Sequence, residues 1–152
     1  MANQSVFELT GMKELKQALK ILKSVDAEHA EIRAALKPGA EIIRAKARSI
    51  TKHDIIKKAL LVLSKPTRRY LNSVAVTVSS GRYGVAPHAW LIEYGTKARS
   101  RKSGGATGSM SAQPFLRPAW RRSKPAVLKS ATVELGKLFK KYEHKIKVRP
   151  MR

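Results

Sequence analysis

Hydrophobic residues recur at spacings of three and four along four segments of the chain, which is the pattern of amphipathic helices. The four segments are Met12–Leu22, Ala27 to about Ser49, Asp54–Leu63, and Lys124 or Pro125 to Tyr142. Pro38 and Gly39 fall inside the second segment. Because a proline removes one helical hydrogen bond, we expect the second helix to be kinked or split there. The apolar end of the third segment is also compatible with a strand.

Strict alternation of side-chain type predicts a strand between the third and the last helix. In the centre of Leu71–Ser79 every second residue is a valine, so the valines point to one side. Ser80 and Gly81 are a turn signal, and Arg82–Ala86 would return as a second strand. The aromatic segment His88–Tyr94 fits either a helical turn or a strand. These elements predict an α+β fold with N-terminal helices, a small antiparallel sheet and a long C-terminal helix.

The length of 152 residues fits a single domain, residues 1–152, with one modest core. Two segments differ in composition from the rest of this domain. Residues 97–111 are polar and basic and contain three glycines, so we expect a long flexible loop. Residues 143–152 form a basic C-terminal tail.

The net charge of +22 is the strongest compositional signal, with 32 lysines and arginines against 10 acidic residues. Residues 97–152 alone carry 16 basic and two acidic residues. Such a balance implies an anionic partner, which can be nucleic acid, an acidic protein surface or a membrane. The residues expected to contact an anionic partner or DNA are Lys97, Arg99, Arg101, Lys102, Arg121, Arg122, Lys140, Lys141, Lys145 and Lys147. The alternative is that these side chains form solvated surfaces.

Catalytic, metal-binding and membrane-spanning functions find little support in the sequence. There are no cysteines, and the four histidines show none of the spacings of metal sites. The glycine-rich run GGATGS lacks the Gly-Lys-Ser/Thr ending of a phosphate-binding P-loop. The longest apolar run, Ala59–Leu63, is far too short to span a membrane. We therefore expect no enzyme activity, no catalytic residue, no metal, no cofactor and no membrane partner.

Glu93 is the only acidic residue between Asp54 and Glu134. An isolated carboxylate in a basic, aromatic context can act as a general base. It can also be the buried or interfacial ion-pair partner of a cation, with Arg117 as the candidate. We favour the ion pair, because a buried charge needs a partner.

Two motifs carry a resemblance to a known family. The first is His88-Ala-Trp-Leu-Ile-Glu-Tyr-Gly-Thr96, and the second, after the basic segment, is Met110-Ser-Ala-Gln-Pro-Phe-Leu-Arg-Pro-Ala119. They resemble the minor tail and neck proteins of long-tailed bacteriophages, the group that includes the lambda-type tail-completion protein Z. In the first motif, Gly95 permits a turn that a larger residue would strain. In the second, the prolines favour extended geometry around Phe115 and Leu116, which can then fill an apolar groove.

The resemblance implies a structural virion protein of the phage neck or tail top. It would complete the tail and join it to the DNA-filled head as a homo-oligomeric ring, for which we expect six copies. Its partners would be tail-tube and head–tail connector proteins and genomic DNA in the lumen. It would be assembled in the cytoplasm of the bacterial host and would end up in the virion.

The residues implied at subunit or partner interfaces are those of the two motifs. They are Trp90, Glu93, Tyr94, Gly95, Thr96, Met110, Gln113, Pro114, Phe115, Leu116, Arg117 and Pro118. Two alternative functions stay open. One is a tail terminator ring that controls the length of the tail tube, and the other, from a different class, is a basic nucleic-acid-binding protein.

Overall fold

The computed structural model describes residues 12–24, 28–64, 73–79, 85–100, 102 and 104–148. Within these ranges the elements follow in the order α1 (Met12–Ser24), α2 (His29–Ile50), α3 (Asp54–Ala59), β1 (Leu60–Leu63), β2 (Ala75–Val78), α4 (Ala89–Tyr94), β3 (Thr96–Ser100), β4 (Ala106–Met110) and α5 (Leu116–Val148). β1 pairs with β2, and β3 pairs with β4. The predicted α+β class with its long C-terminal helix is confirmed, although two two-stranded sheets replace the single sheet expected.

The chain divides into two compact units. Of the described residues, unit 1 contains α1, α2 up to Ile42 and α5 from Lys124 onward. Unit 2 contains the rest of α2, α3, most of β1 and β2, α4, the β3–β4 hairpin and α5 up to Ser123. The single domain expected from the length stays a prediction.

Unit 1 is built around a cluster of buried side chains from three helices. These are Leu22 of α1, Ile32 and Ala35 of α2, and Leu135 and Tyr142 of α5. Partly buried leucines of the same helices and Phe139 pack against the cluster. The spacing of three, four and seven residues within each helix is the one that the hydrophobic pattern predicts. Fully burying a large aliphatic side chain contributes roughly 1.5–3 kcal/mol, so each of the buried residues Leu22, Ile32 and Leu135 stabilises unit 1.

The second helix is not split at its proline. α2 runs continuously over 22 residues with Pro38 inside it, so the expected split is wrong, while the alternative of a kink at Pro38 stays a prediction. A proline in a helix interior costs about 3 kcal/mol relative to alanine. α2 buries Ile32 and Ala35 before the proline and Ala40 and Ala47 after it. Because buried side chains lie on both sides of Pro38, packing stabilises the continuous helix despite the lost hydrogen bond.

Unit 2 has a core of small side chains around a few large ones. The large buried residues are Ile56, Leu60 and Phe115, and Val78 of β2 completes them. Five alanines share this core: Ala47, Ala59, Ala86, Ala89 and Ala119. Small side chains allow the backbones of the short helices and strands to approach closely, which suits a unit made of short elements.

The first sheet differs from the predicted hairpin in its pairing. The end of the third apolar segment is the strand β1, so the strand alternative is the correct one there. β2 lies in the predicted alternating segment, but it pairs with β1. Val85 and Ala86 are not in a strand, and the expected turn at Ser80 and Gly81 and residues 82–84 of the expected return strand lie outside the described residues. The local alternation located β2 correctly, whereas the choice of partner depends on contacts distant in sequence.

The basic segment 97–111 is a β-hairpin rather than the irregular loop expected from its composition. β3 and β4 pair antiparallel, with Thr96 opposite Met110, Arg99 opposite Gly108 and Ser100 opposite Ala106. Two threonines support the pairing. Thr96 Oγ1 accepts from the Met110 N–H at 3.0 Å, and Thr107 Oγ1 donates to the Arg99 carbonyl at 2.7 Å.

The motif segments form one short helix and the beginning of a long one. The segment His88–Tyr94 contains the helix α4, so the helical alternative is correct. α5 begins at Leu116, not at Lys124 or Pro125, and Pro125 lies inside it. The predicted start is too late, because Pro114 and Pro118 were expected to favour extended geometry around Phe115 and Leu116, whereas Leu116 and Pro118 are helical. What stabilises that turn is a side chain from α4.

Candidate partner-binding site

The candidate site is organised by the carboxylate of Glu93, where the two motifs meet. Glu93 lies in the last turn of α4 and is 2% exposed. Its Oε2 accepts from the N–H groups of Phe115 (2.7 Å) and Leu116 (3.0 Å), and its Oε1 accepts from the N–H of Arg117 (3.1 Å). These amides form the N-terminus of α5. Glu93 therefore caps a helix that begins more than twenty residues after it in the chain.

The cap leaves no backbone donor unsatisfied in the first turn of α5. A helix begins with four N–H groups that have no intrahelical partner. Glu93 satisfies three of them, and the fourth position is Pro118, which has no N–H. Regular bonding starts with Ala119, whose N–H donates to the Phe115 carbonyl at 3.2 Å. The order Phe-Leu-Arg-Pro therefore makes a helix start that one external carboxylate can complete.

The environment of Glu93 favours its ionised form. Burial by itself raises the pKa of Glu93, but the hydrogen bonds from the amides of Phe115, Leu116 and Arg117 and from the Arg117 side chain together outweigh it, so the pKa lies below its ordinary value of 4.5. The positive end of the α5 dipole acts in the same direction. A carboxylate with a lowered pKa and several bound donors is a weak base, so the geometry favours a structural role for this side chain.

Because the pKa of Glu93 is lowered in the folded protein, this cap should make the free energy of unfolding depend on pH. A carboxyl group with a lowered pKa in the folded state contributes stability that is complete above about 4.5 and is lost as the pH falls through the folded pKa. We expect the difference in unfolding free energy between the wild type and Glu93→Gln to be constant at neutral pH and to shrink below about pH 4.5. Urea unfolding at a series of pH values measures this difference. A difference that stays unchanged in strong acid would contradict the assigned role.

Arg117 links the cap to a pair of exposed aromatic rings. Its Nε lies 3.4 Å from Glu93 Oε1, so the predicted ion pair is present. Its guanidinium carbon lies 4.8 Å from the centre of the Tyr94 ring, a cation–π distance. Tyr94 stacks on Trp90, with ring centres 5.5 Å apart and planes inclined by 14°. We call Trp90, Tyr94 and Arg117 the aromatic face; Trp90 and Tyr94 are 57% and 56% exposed.

Two hydrogen bonds from backbone amides and a close approach at Gly95 also join the two motifs. The Gln113 N–H donates to the Ile92 carbonyl at 2.8 Å, in addition to the bond between Met110 and Thr96. Gly95 has φ 72° and ψ −178°, and a Cβ at this position would lie 2.7 Å from the Met110 carbonyl oxygen. We call residues 92–96 together with 110–117 the motif junction. Its backbone contacts hold α4, the hairpin and the start of α5 together.

A half-open cavity of about 350 Å³ lies beside the second motif. Gln113, Pro114 and Phe115 line one part of it, and residues 50–53 line another. His53 Nε2 lies 3.2 Å from Gln113 Oε1, which connects the turn before α3 to the motif junction. The sequence contains no signal for this contact, because the two residues are 60 positions apart.

The predicted interface residues divide into a buried and an exposed group. Glu93 and Phe115 are buried, and Phe115 lies in the core of unit 2, at 1% exposure. Gly95, Thr96, Leu116 and Pro118 are partly buried. The residues exposed to a partner are Trp90, Tyr94, Met110, Gln113, Pro114 and Arg117. The buried motif residues thus stabilise the site, and the exposed motif residues are the ones that a partner can contact.

The described anion-contacting residues of the prediction lie in three places, the β3–β4 hairpin and two separate parts of α5. Lys97, Arg99 and Lys102 are exposed in the β3–β4 hairpin and its turn, Arg121 and Arg122 are exposed on α5 in unit 2, and Lys140 and Lys141 are exposed on α5 in unit 1. Arg101 and the side chains of Lys145 and Lys147 lie outside the described residues. The described residues therefore form one group in the hairpin and two separate pairs on α5.

One polar cluster in unit 1 was not predicted from the sequence. The Glu31 carboxylate accepts from the Lys141 ammonium and, at 2.7 Å, from the Tyr142 hydroxyl. The hydrogen bond from Lys141, followed by that from Tyr142, lowers the pKa of Glu31. Lys141 was expected to contact an external anion, whereas in the structure it pairs with the Glu31 carboxylate of the same chain. Because Glu31 and Lys141 are 110 positions apart, no local pattern indicated the pair.

The fold and the site define an α+β protein in which two motifs meet at a capped helix start beside an exposed aromatic face. Comparison with known proteins gave no relative: no family model matches the chain, and no curated protein or solved structure is significantly similar to it. Among the described residues, no group of three or more acidic, histidine or cysteine side chains could hold a metal ion. None of the described helices is long and apolar enough to cross a membrane.

Proposed function

We propose that the protein is a structural subunit of the neck or tail top of a tailed bacteriophage, where copies form a ring that completes the tail and joins it to the DNA-filled head. The observation that supports this proposal most directly is the motif junction. The two motifs on which the resemblance rests meet at Glu93 and share a continuous set of hydrogen bonds. A docking subunit gains from such rigidity, because side chains held in place before contact lose less entropy on binding.

The aromatic face is the part of this site that would dock on a partner protein. Tryptophan, tyrosine and arginine are the residue types most enriched at the energetic centres of protein interfaces. Here Trp90 stacks on Tyr94, and Arg117 lies over the Tyr94 ring. Arg117 also contacts Glu93, the residue that caps α5. The proposed partners are subunits of the tail tube or of the head–tail connector.

Charge restricts the kind of partner that a ring of this protein would need. Six copies of a chain with a net charge of +22 would carry +132. Such a ring repels itself unless anionic groups lie close to it. Acidic surfaces on the tail-tube or connector proteins would supply them, and assembly would then weaken as the salt concentration rises.

The proposal can be tested by imaging particles of the phage that encodes the protein. A disruption of the gene, complemented with the wild type or with Trp90→Ala/Tyr94→Ala, separates the role of the chain from that of its aromatic face. We expect full heads and finished tails that remain separate, both without the gene and with the double variant. Val133→Ala, which changes an exposed apolar side chain of α5 in unit 1, serves as the control and should restore virions.

Each outcome of the imaging experiment discriminates between the candidate functions. Tails of uncontrolled length would replace the joining role with that of a tail terminator. Normal virions without the gene would reject both roles and leave the basic nucleic-acid-binding protein as the better reading. Virions restored by the double variant would remove the aromatic face from the proposal.

A further inference from the structure

The β3–β4 hairpin is the most exposed element of unit 2. All residues of β4, and those of β3 after Thr96, are exposed to solvent. The hairpin and its turn carry Lys97, Arg99 and Lys102, and no acidic residue occurs between Glu93 and Glu134. A two-stranded hairpin without a buried face is marginally stable in water. Binding to an anionic partner would therefore both neutralise and stabilise it.

A second copy of this chain is poorly suited to be that partner. The chain has 10 acidic residues for 32 basic ones, and four of the ten already bind cations or amides within the chain: Glu31, Asp54, Glu93 and Glu134. Unit 2 by itself has 14 basic residues and only the acids Asp54 and Glu93. The partner that binds the hairpin must therefore be a different, negatively charged molecule.

The composition of the hairpin favours nucleic acid over an acidic protein. Apart from its cations, the two strands consist of alanine, serine, threonine and glycine, with Met110 as their one large apolar side chain. A protein interface needs aromatic or large apolar anchors at its centre, and the hairpin offers almost none. Phosphate groups need only cations, hydroxyls and amides, which are the groups that this hairpin exposes.

The shape of the element agrees with its composition. A two-stranded β-ribbon fits into the major groove of double-stranded DNA, which is about 12 Å wide. We propose that the β3–β4 hairpin is a DNA-binding ribbon that holds the phosphate backbone of double-stranded DNA through Lys97, Arg99 and Lys102, without reading the base sequence. The proposal concerns a single chain and does not depend on a ring.

Fluorescence anisotropy of the full chain with a labelled short duplex tests this proposal. The variant Lys97→Gln/Arg99→Gln/Lys102→Gln should weaken binding by about tenfold or more at moderate salt. Each lost phosphate contact reduces the slope of log affinity against log salt by about 0.9, so the slope should become shallower by up to about 2.7. Lys97→Arg/Lys102→Arg should retain wild-type binding, and duplexes of different sequence should bind equally.

A matched variant separates the hairpin from the overall charge. Lys46→Gln/Lys58→Gln/Lys129→Gln removes the same three charges from exposed positions on α2, α3 and α5 and should change binding far less. Equal losses in both triple variants would overturn the proposal, and so would a hairpin variant that loses binding to polyglutamate but keeps its affinity for DNA. Circular dichroism checks that the variants are folded. Because the assay uses no virion component, its failure would leave the neck role to be judged by imaging.

Discussion

Replacing Glu93 with alanine should destabilise unit 2 by about 3 kcal/mol or more, because each buried donor left unsatisfied costs about 1–3 kcal/mol. The change removes the carboxylate that accepts from the amides of Phe115 and Leu116 and that caps a 33-residue helix. Native domains have unfolding free energies of only about 5–15 kcal/mol, so the loss expected for this variant is a large fraction of the total stability. Urea unfolding followed by tryptophan fluorescence measures it, since both tryptophans, Trp90 and Trp120, lie in unit 2.

Two other variants separate the cap from ordinary ion pairing. Arg117→Ala removes a guanidinium whose side chain is 54% exposed, and it should cost less than about 1 kcal/mol. Glu134→Gln removes an ion pair with Lys137 on the surface of α5, and it should cost at most about 0.5 kcal/mol. If Arg117→Ala destabilised the protein as much as Glu93→Ala, the ion pair and not the backbone cap would be the main contribution of Glu93.

Much of the helical fold could be predicted because burial imposes a periodic pattern on the sequence. The apolar face of α5, for example, is visible as Ala131, Leu135 and Leu138, and these side chains are buried or partly buried in unit 1. The errors occur where a local rule was outweighed by distant contacts. α2 continues through Pro38 because buried residues flank it, and α5 starts at Leu116 because Glu93 supplies the acceptor that its first turn lacks.

The hairpin was missed for a related reason. Glycine and serine in a basic segment are typical of flexible loops, and composition gave no indication of pairing. The register is set by specific contacts of Thr96 and Thr107, and by Gly108, whose φ of 70° is a conformation that glycine adopts without strain. Such contacts depend on which residues face each other across the turn, which cannot be read from one strand alone.

The candidate site was predictable in its residues but not in its geometry. The pairing of Glu93 with Arg117 follows from charge alone and is present at 3.4 Å. The stronger contacts of Glu93 are with backbone amides, which every residue except proline possesses, so they leave no mark in the sequence. Phe115 was expected to fill an apolar groove, and it does so within its own unit.

The surface is so positive because the chain has only 10 acidic residues for 32 basic ones. Asp54, Glu31 and Glu134 each pair with one lysine, and the carboxylate of Glu93 is buried against backbone amides. The aromatic face and the β3–β4 hairpin also differ in chemistry. The aromatic face suits a protein partner, whereas the hairpin that follows Gly95 suits a polyanion, and this separation is why the two proposals require different experiments.

Gly95→Ala should be at least as damaging as loss of the Glu93 carboxylate, with a destabilisation on the order of 3 kcal/mol or a failure to fold. The backbone at Gly95, with φ 72° and ψ −178°, lies in a region that is essentially restricted to glycine. An added Cβ would also lie 2.7 Å from the Met110 carbonyl oxygen and 2.8 Å from the Ala112 nitrogen. These are backbone atoms of the motif junction, so they cannot move aside without breaking it.

Gly108→Ala is the matched control, because it changes the backbone strain alone. Its φ of 70° is nearly that of Gly95, but nothing lies within 4 Å of the position that a Cβ would occupy. This variant should cost only about 1–2 kcal/mol, the penalty for a left-handed residue with a side chain. The difference between the two variants in urea unfolding therefore reports the contact of an added Cβ with Met110 and Ala112 together with the extra strain of the Gly95 backbone. Equal losses would mean that the junction yields to an added methyl group, and that it is too loose to hold the aromatic face rigidly for docking.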